Sequence, residues 1–362
     1  MTPMPNELIR DPLFQLNALL WLAQPMPSQS EIRPLLYEQG FTVYAIAPLL
    51  GLPPDLRLMA QEAQINMQER VRPDVVLAHE GARKFAFTEC KKSSFGATSS
   101  TAEQGRSHLV VAGPRAAEVL GLASGQLAGS LVAFVTAQSE QGPLAQTLAI
   151  LCEELDAAKI PAGHFSVLGL VLAETDVSIA IDDQANTFFG LPKGNNSFMK
   201  RERDTDPRRL YFIPYDPDID QSPEEREFCK RVLFERMQST VVAAVGRTSP
   251  SCELSLNSEK ILNDAMFGMY GQWENRESAR HMRRLCRQFM DALMQALNSE
   301  VPESMTCEPG EGWKIILQNS EQHEKVTDAL TRFSCMTLDL QTEPQPGLFD
   351  DLEDGTLQGG GE

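Results

Sequence analysis

The chain has 362 residues, 42% hydrophobic and 23% charged, with a formal charge of −18. That length and apolar share suit a folded protein of one large domain or, more in keeping with its size, two, and exclude a wholly disordered chain. The acidity excludes a general polyanion binder. From Asp339 onward, however, seven acids (Asp339, Glu343, Asp350, Asp351, Glu353, Asp354, Glu362) stand without a Lys or Arg, and subtracting them leaves −11 on the body. A nucleic-acid partner would then be held by local basic patches. The seven cysteines (90, 152, 229, 252, 286, 307, 335) are scattered, with no Cys-x-x-Cys, as expected of reduced thiols in a cytosolic protein. Residues 1–10 lack a basic segment followed by an apolar one, so no signal peptide is expected. No apolar run approaches the ~18 residues of a membrane span. The expectation is a cytoplasmic protein with no membrane contact.

In chain order, Leu13, Phe14, Leu16, Leu19, Leu20 and Trp21 predict a short buried helix within 6–24, closed by Pro25 and Pro27. A helix over 31–37 ends at Gly40, a strand follows over 41–47, and Asp55 caps a helix running through Glu69. Asp74 to Ala78 is a short β-branched strand, His79 to Arg83 a turn, and Lys84 to Lys92 a second strand, which together predict an antiparallel hairpin. Ser100 and Glu103 have the spacing of a capping box opening a helix to about Ala112. A short helix over 115–122, a strand over 130–136, a helix over 143–157 and strands over 165–173 and 177–181 complete an α/β unit, hence a mixed sheet flanked by helices.

Residues 190–220, rich in Gly, Asn and Pro, predict a connector. Beyond Pro223 the pattern is mainly helical, over 224–245, 258–270 and 276–298, with a small α/β piece at 313–316 and 321–333. The implied division is an N-terminal helical segment 1–30, an α/β domain 31–189, a connector 190–222, a helical domain 223–336 and a disordered acidic tail 337–362.

The chemistry concentrates where Pro73-Asp74 stands fifteen residues before Glu89 of a Glu89-Cys90-Lys91 triplet. Side chains alternate along a strand, so Glu89 and Lys91 emerge on one face, and the hairpin brings Asp74 alongside. Two carboxylates and the Cys90 carbonyl oxygen would make a hard, oxygen-rich site for Mg²⁺ or Mn²⁺. Such a metal binds a scissile phosphate and lowers the pKa of an attacking water. Lys91 would orient that water or offset transition-state charge. Among the ten lysines only Lys91 has an acid two residues before it. The competing explanation, an exposed strand edge bearing a weak ion pair, fits poorly with Phe85 and Phe87 on the same face.

These residues resemble the PD-(D/E)xK superfamily of restriction-endonuclease-like proteins, over roughly residues 30–185. The resemblance implies metal ligation by Asp74 and Glu89 and water positioning by Lys91. It also implies an upstream helical glutamate, a place open to Glu69 or Glu62, and in some members a Gln-x-x-x-Tyr helix. Here Gln104 is followed four residues on by His108 rather than Tyr; positions i and i+4 share a helix face, so both could look into the site.

Two further patterns bear on partners. Arg280, Arg283, Arg284 and Arg287 recur at i, i+3, i+4 and i+7, and Lys200, Arg201, Arg203, Arg208 and Arg209 cluster, either of which could contact DNA phosphates or form an ordinary charged face. Gln345, Leu348 and Phe349 resemble the Gln-x-x-Leu-Phe peptide that docks on the bacterial sliding clamp. There is no Gly-x-x-x-x-Gly-Lys-Ser/Thr, so any ATP-driven translocation would come from another subunit. The expectation is a Mg²⁺-dependent deoxyribonuclease of a restriction, anti-phage or repair complex. The alternative is a catalytically silent nuclease-fold scaffold of a DNA-associated complex.

Overall fold

The computed structural model describes residues 5–26, 32–123, 125–200, 206–308 and 312–334. They fall into two units: one runs to Phe212 and takes in Gln272–Asn275 as well, and the other comprises Ile213–Gly271 and the chain from Arg276. Among the described residues no helix is long and apolar enough to cross a membrane.

The first unit is built on a seven-stranded mixed sheet. Its strands are β1 (Thr42–Ile46), β4 (Val75–His79), β5 (Lys84–Cys90), β6 (Gly129–Ala137), β7 (His164–Leu172), β8 (Asp176–Ile181) and β9 (Gly194–Lys200), hydrogen-bonded in that order. A separate two-stranded ladder joins β2 (Leu50–Gly51) to β3 (Arg70–Val71). β4 and β5 form the antiparallel hairpin expected from sequence, with Val75 opposite Thr88 and His79 opposite Lys84. β5, β6 and β7 run parallel, and β1, β8 and β9 add antiparallel neighbours.

The central strands are buried on both faces, as parallel strands between helices must be. On one face Val76, Phe85, Phe87, Val132 and Phe134 pack with Leu109 and Val110 of α5 (Ser100–Val111) and Leu144, Leu148 and Leu151 of α7 (Gln138–Ala157). On this unit the remaining helices are α1 (Pro5–Leu8), α2 (Pro12–Ala23), α3 (Leu35–Glu38), α4 (Pro54–Glu62), α6 (Ala116–Val119) and α8 (Asp183–Phe189). α2 lies against β1, β4 and β5 and is buried from Leu13 to Ala23. Its N-cap is Asp11, whose side chain accepts from the Leu13 N–H.

Three expectations need correction. The helix expected from Asp55 through Glu69 stops at Glu62, where Ala63 caps it and Gln64 turns at φ 57°. The cap of α5 is Ser99, which accepts from the Ala102 N–H, so Ser100 and Glu103 form no capping box. The Gly/Asn-rich start of the expected connector is instead β9, whose side-chain polarity suits its edge position. Beyond β9, Gln272–Asn275 returns to the first unit: Trp273 bridges Ile46 in parallel, and the Glu274 N–H donates to the Ile46 carbonyl at 2.9 Å.

The second unit carries α9 (Pro223–Arg247), α10 (Ser258–Ala265), α11 (Arg276–Glu300) and α12 (Ser320–Arg332). A three-stranded antiparallel sheet joins β10 (Glu253–Asn257), β12 (Gly312–Ile316) and β11 (Met305–Glu308), with β12 in the centre. The helical periodicity located the helices; β10 and β11, each five residues or fewer, are additions to it.

Candidate functional site

The site lies where β5 ends. Asp74 sits just before β4, held from both sides: its N–H donates to the Thr88 carbonyl at 2.9 Å and its carbonyl accepts from the Ala47 N–H at 2.9 Å. Extending the β4–β5 register by one pair sets it opposite Glu89. Its side chain reaches across the ladder, where Oδ2 accepts the Cys90 N–H at 2.5 Å. Thr88 locks the hairpin from below by donating its hydroxyl to the Val75 carbonyl at 2.7 Å.

Glu89 and Lys91 continue the face of Phe85 and Phe87 by strand alternation. The Lys91 ammonium donates to Glu89 Oε1 at 2.9 Å and to Gln104 Oε1 at 2.8 Å, while Gln104 Nε2 donates to the same Glu89 oxygen at 2.9 Å. This triangle closes between a strand and the first turns of α5. One turn further along α5, His108 Nε2 stands 3.3 Å from Glu89 Oε2, at ion-pairing distance though without the alignment of a hydrogen bond. Glu89 is 5% exposed and His108 wholly buried.

Electrostatics follow from this crowding. Burial first, and then the neighbouring Glu89 charge, push the Asp74 carboxyl up to about 8, against the opposing pull of the Cys90 N–H and the Lys91 ammonium. Burial and the Asp74 and Glu89 charges drive the Cys90 thiol well above its usual range, so it is no thiolate nucleophile. Burial lowers His108, which keeps its ring neutral at physiological pH.

Asp74, Glu89, Cys90, Lys91 and Gln104 therefore converge. Glu69 does not join them: it lies on the exposed chain between α4 and β3 and pairs with Arg57 at 3.3 Å. Glu62 is at the exposed end of α4. Arg280, Arg283, Arg284 and Arg287 are half-buried along α11, and each already has an interaction within the protein. Arg208 is bound to Asp206 at 2.6 Å, whereas Arg201 and Arg203 lie outside the described residues. So do Gln345, Leu348 and Phe349.

Sequence reasoning missed Gln15. It is fully buried on α2, and its amide nitrogen donates to the Lys91 carbonyl at 3.0 Å and to the Ile9 carbonyl at 2.9 Å. The available signal was polarity: Gln15 and Asn17 alone interrupt the apolar run from Pro12 to Ala23.

Among the described residues no group of three or more His, Cys, Asp or Glu side chains is arranged to hold a metal. The donor set here has two carboxylates, with any third ligand drawn from main chain. Their chemistry fits a divalent cation: Glu89 Oε2 is buried without a hydrogen bond, and the Glu89 charge raises the cost of ionising Asp74, a cost that a cation would offset. Compared with protein-family models, curated proteins and solved structures, the chain matched none of them.

Proposed function

We propose that this chain is a Mg²⁺- or Mn²⁺-dependent nuclease that hydrolyses phosphodiester bonds of DNA, on a restriction-endonuclease-like core, as one component of a restriction, anti-phage or repair complex. The observation that carries the proposal is the convergence of Asp74, Glu89, Lys91 and Gln104 at the end of β5, two carboxylates beside an ammonium held by an amide. An ordinary surface ion pair would be exposed and singly bonded; here the Lys91 and Glu89 side chains are 14% and 6% exposed.

Asp74, Glu89 and the Cys90 carbonyl would hold the metal, which when bound supplies Lewis acidity toward the phosphate and a more acidic water. Asp74 enters that role only when it loses its proton, so binding of the cation and deprotonation of Asp74 are linked. Gln104 holds Glu89 Oε1 and Lys91 Nζ at fixed separation. An ammonium has three protons; two of those on Lys91 are committed to Glu89 and Gln104, and the third is left to a water or a phosphate oxygen. His108, being neutral, lies against Glu89 without adding charge to the site.

The half-buried arginines of α11, Arg280, Arg283, Arg284 and Arg287, are proposed as DNA contacts in addition to the interactions each already has within the protein. An ATPase or other subunit and, through Gln345, Leu348 and Phe349, a sliding clamp are the proposed partners.

The test is cleavage of plasmid, linear and single-stranded DNA with Mg²⁺ or Mn²⁺ by the wild type, Asp74→Ala and Lys91→Ala. Loss of metal-dependent cleavage by at least 10²-fold in both variants is expected. Cleavage that survives in both would place the site elsewhere, and none by the wild type would favour the scaffold role.

A further inference from the structure

Lys91 occupies a structural boundary. The β5 ladder ends at Cys90, and the Lys91 N–H makes the last bond to β6, donating to the Val135 carbonyl at 2.8 Å. From 92 to 99 the chain runs through bends and turns, mostly half-buried or exposed. Nothing regular would fix the peptide that follows Lys91, yet the proposed chemistry needs its ammonium in one place.

We propose that Gln15 is a positioning residue for Lys91, holding the main chain at the point where the strand has run out; this rests on the nuclease role proposed above. The Gln15 amide uses both protons, one on the Lys91 carbonyl and one on the Ile9 carbonyl. With its N–H on β6 and its carbonyl on α2, Lys91 has both backbone polar groups pinned by different elements. The same N-terminal segment grips the chain a second time. Arg10 bonds Glu140 Oε1 at 3.2 Å, and Glu140 Oε2 accepts from the Ser94 N–H at 3.1 Å and its hydroxyl at 2.8 Å. Residues 9–15 thus restrain Lys91 directly and Ser94 through α7.

Packing alone does not explain Gln15. It is wholly buried beside Leu13, Phe14 and Leu16 in α2, and its Oε1 has no hydrogen-bond partner. Burying an unsatisfied amide oxygen is unfavourable, so an apolar residue would suit the helix better. The benefit lies at Lys91. A swing of roughly 10° in the chain there carries a nitrogen ~6 Å down the side chain by about 1 Å, and misplacement of that size costs a reaction on the order of 10²-fold.

The experiment compares wild type with Gln15→Met, which keeps the shape and loses the amide, and with Arg10→Ala, an exposed change that loosens the same segment and leaves the core intact. Three quantities are read: kcat and KM for Mn²⁺-dependent DNA cleavage, Mn²⁺ affinity by calorimetry, and hydrogen exchange of the amides from Lys92 to Phe95. For Q15M, kcat should fall at least tenfold with KM and Mn²⁺ affinity within threefold of wild type, and exchange should quicken at least tenfold. R10A should quicken exchange near Ser94 and lower kcat about threefold. Unchanged exchange in both variants overturns the proposal, as does a loss of Mn²⁺ affinity parallel to that of kcat, which would mark general disruption. The exchange readout needs no substrate. A wild type without cleavage would therefore overturn the nuclease role, while quickened exchange would still establish the restraint.

Discussion

Asp74→Asn isolates the electrostatic strain of the site. The native carboxyl titrates at about 8 because of burial and Glu89, whereas an unfolded aspartate titrates near ~3.9. Between these values the native state holds a proton that the unfolded state has lost, so stability is present at low pH and drains away as pH rises toward 8, by 1.36 kcal/mol per unit. Below about pH 6.5 the depressed His108 adds a slope of opposite sign, so the clean window is pH 6.5–8. Across it the wild type should lose roughly 1–2 kcal/mol relative to Asp74→Asn. The assay is urea unfolding in chelator, followed by tryptophan fluorescence in a Trp313→Phe background, since Trp21 and Trp273 both report on the first unit. Adding Mg²⁺ at pH 8 should restore stability to the wild type and leave Asp74→Asn unmoved. A wild-type-minus-variant difference that stays constant from pH 6.5 to 8 would refute the reasoning.

His108→Phe fills the same space against Phe134 and removes the ring nitrogen beside Glu89; a double-mutant cycle with Glu89→Gln should show coupling of at least ~1 kcal/mol, and additivity within ~0.3 kcal/mol would show that the two side chains do not interact. Gly163→Ala should destabilise by at least about 3 kcal/mol in thermal unfolding, because its Cβ would collide with the Ala112 carbonyl oxygen. A change below ~1 kcal/mol would mean that the turn after α5 can move aside.

The carboxylate and lysine half of the candidate site was legible because it is local. Asp74, Glu89 and Lys91 fall on one hairpin, where strand alternation and a short turn suffice to predict proximity. Gln104 was legible only through the Gln-x-x-x-Tyr helix that the family resemblance implies. Gln15 was not: it reaches Lys91 across 76 residues of sequence, and a lone polar residue in an apolar run says that something is bonded without saying what. Glu69 misled because Gln61 to Glu69 is polar enough to continue a helix, whereas the chain turns at Gln64 to reach β3. β9 was hidden for the opposite reason, since Gly194, Asn195 and Asn196 read as turn residues although an edge strand tolerates them. On α11, spacing found the arginine row correctly but could not reveal that each of these residues already has an interaction within the protein.

The return of Gln272–Asn275 to the first unit has a consequence for how the protein is made. Trp273 and Glu274 attach to Ile46, and the next residue, Ala47, binds the carbonyl of Asp74. A chain emerging N-terminus first can assemble the sheet once β9 is out, but the support that Gln272–Asn275 gives Ile46 must wait until 213–271 has been synthesised, a delay on the order of 3–12 s. A nascent or prematurely terminated chain would therefore carry the proposed cutting residues beside a β1 whose end at Ile46 lacks its outer neighbour, and the finished arrangement would exist only in molecules whose translation has passed residue 275.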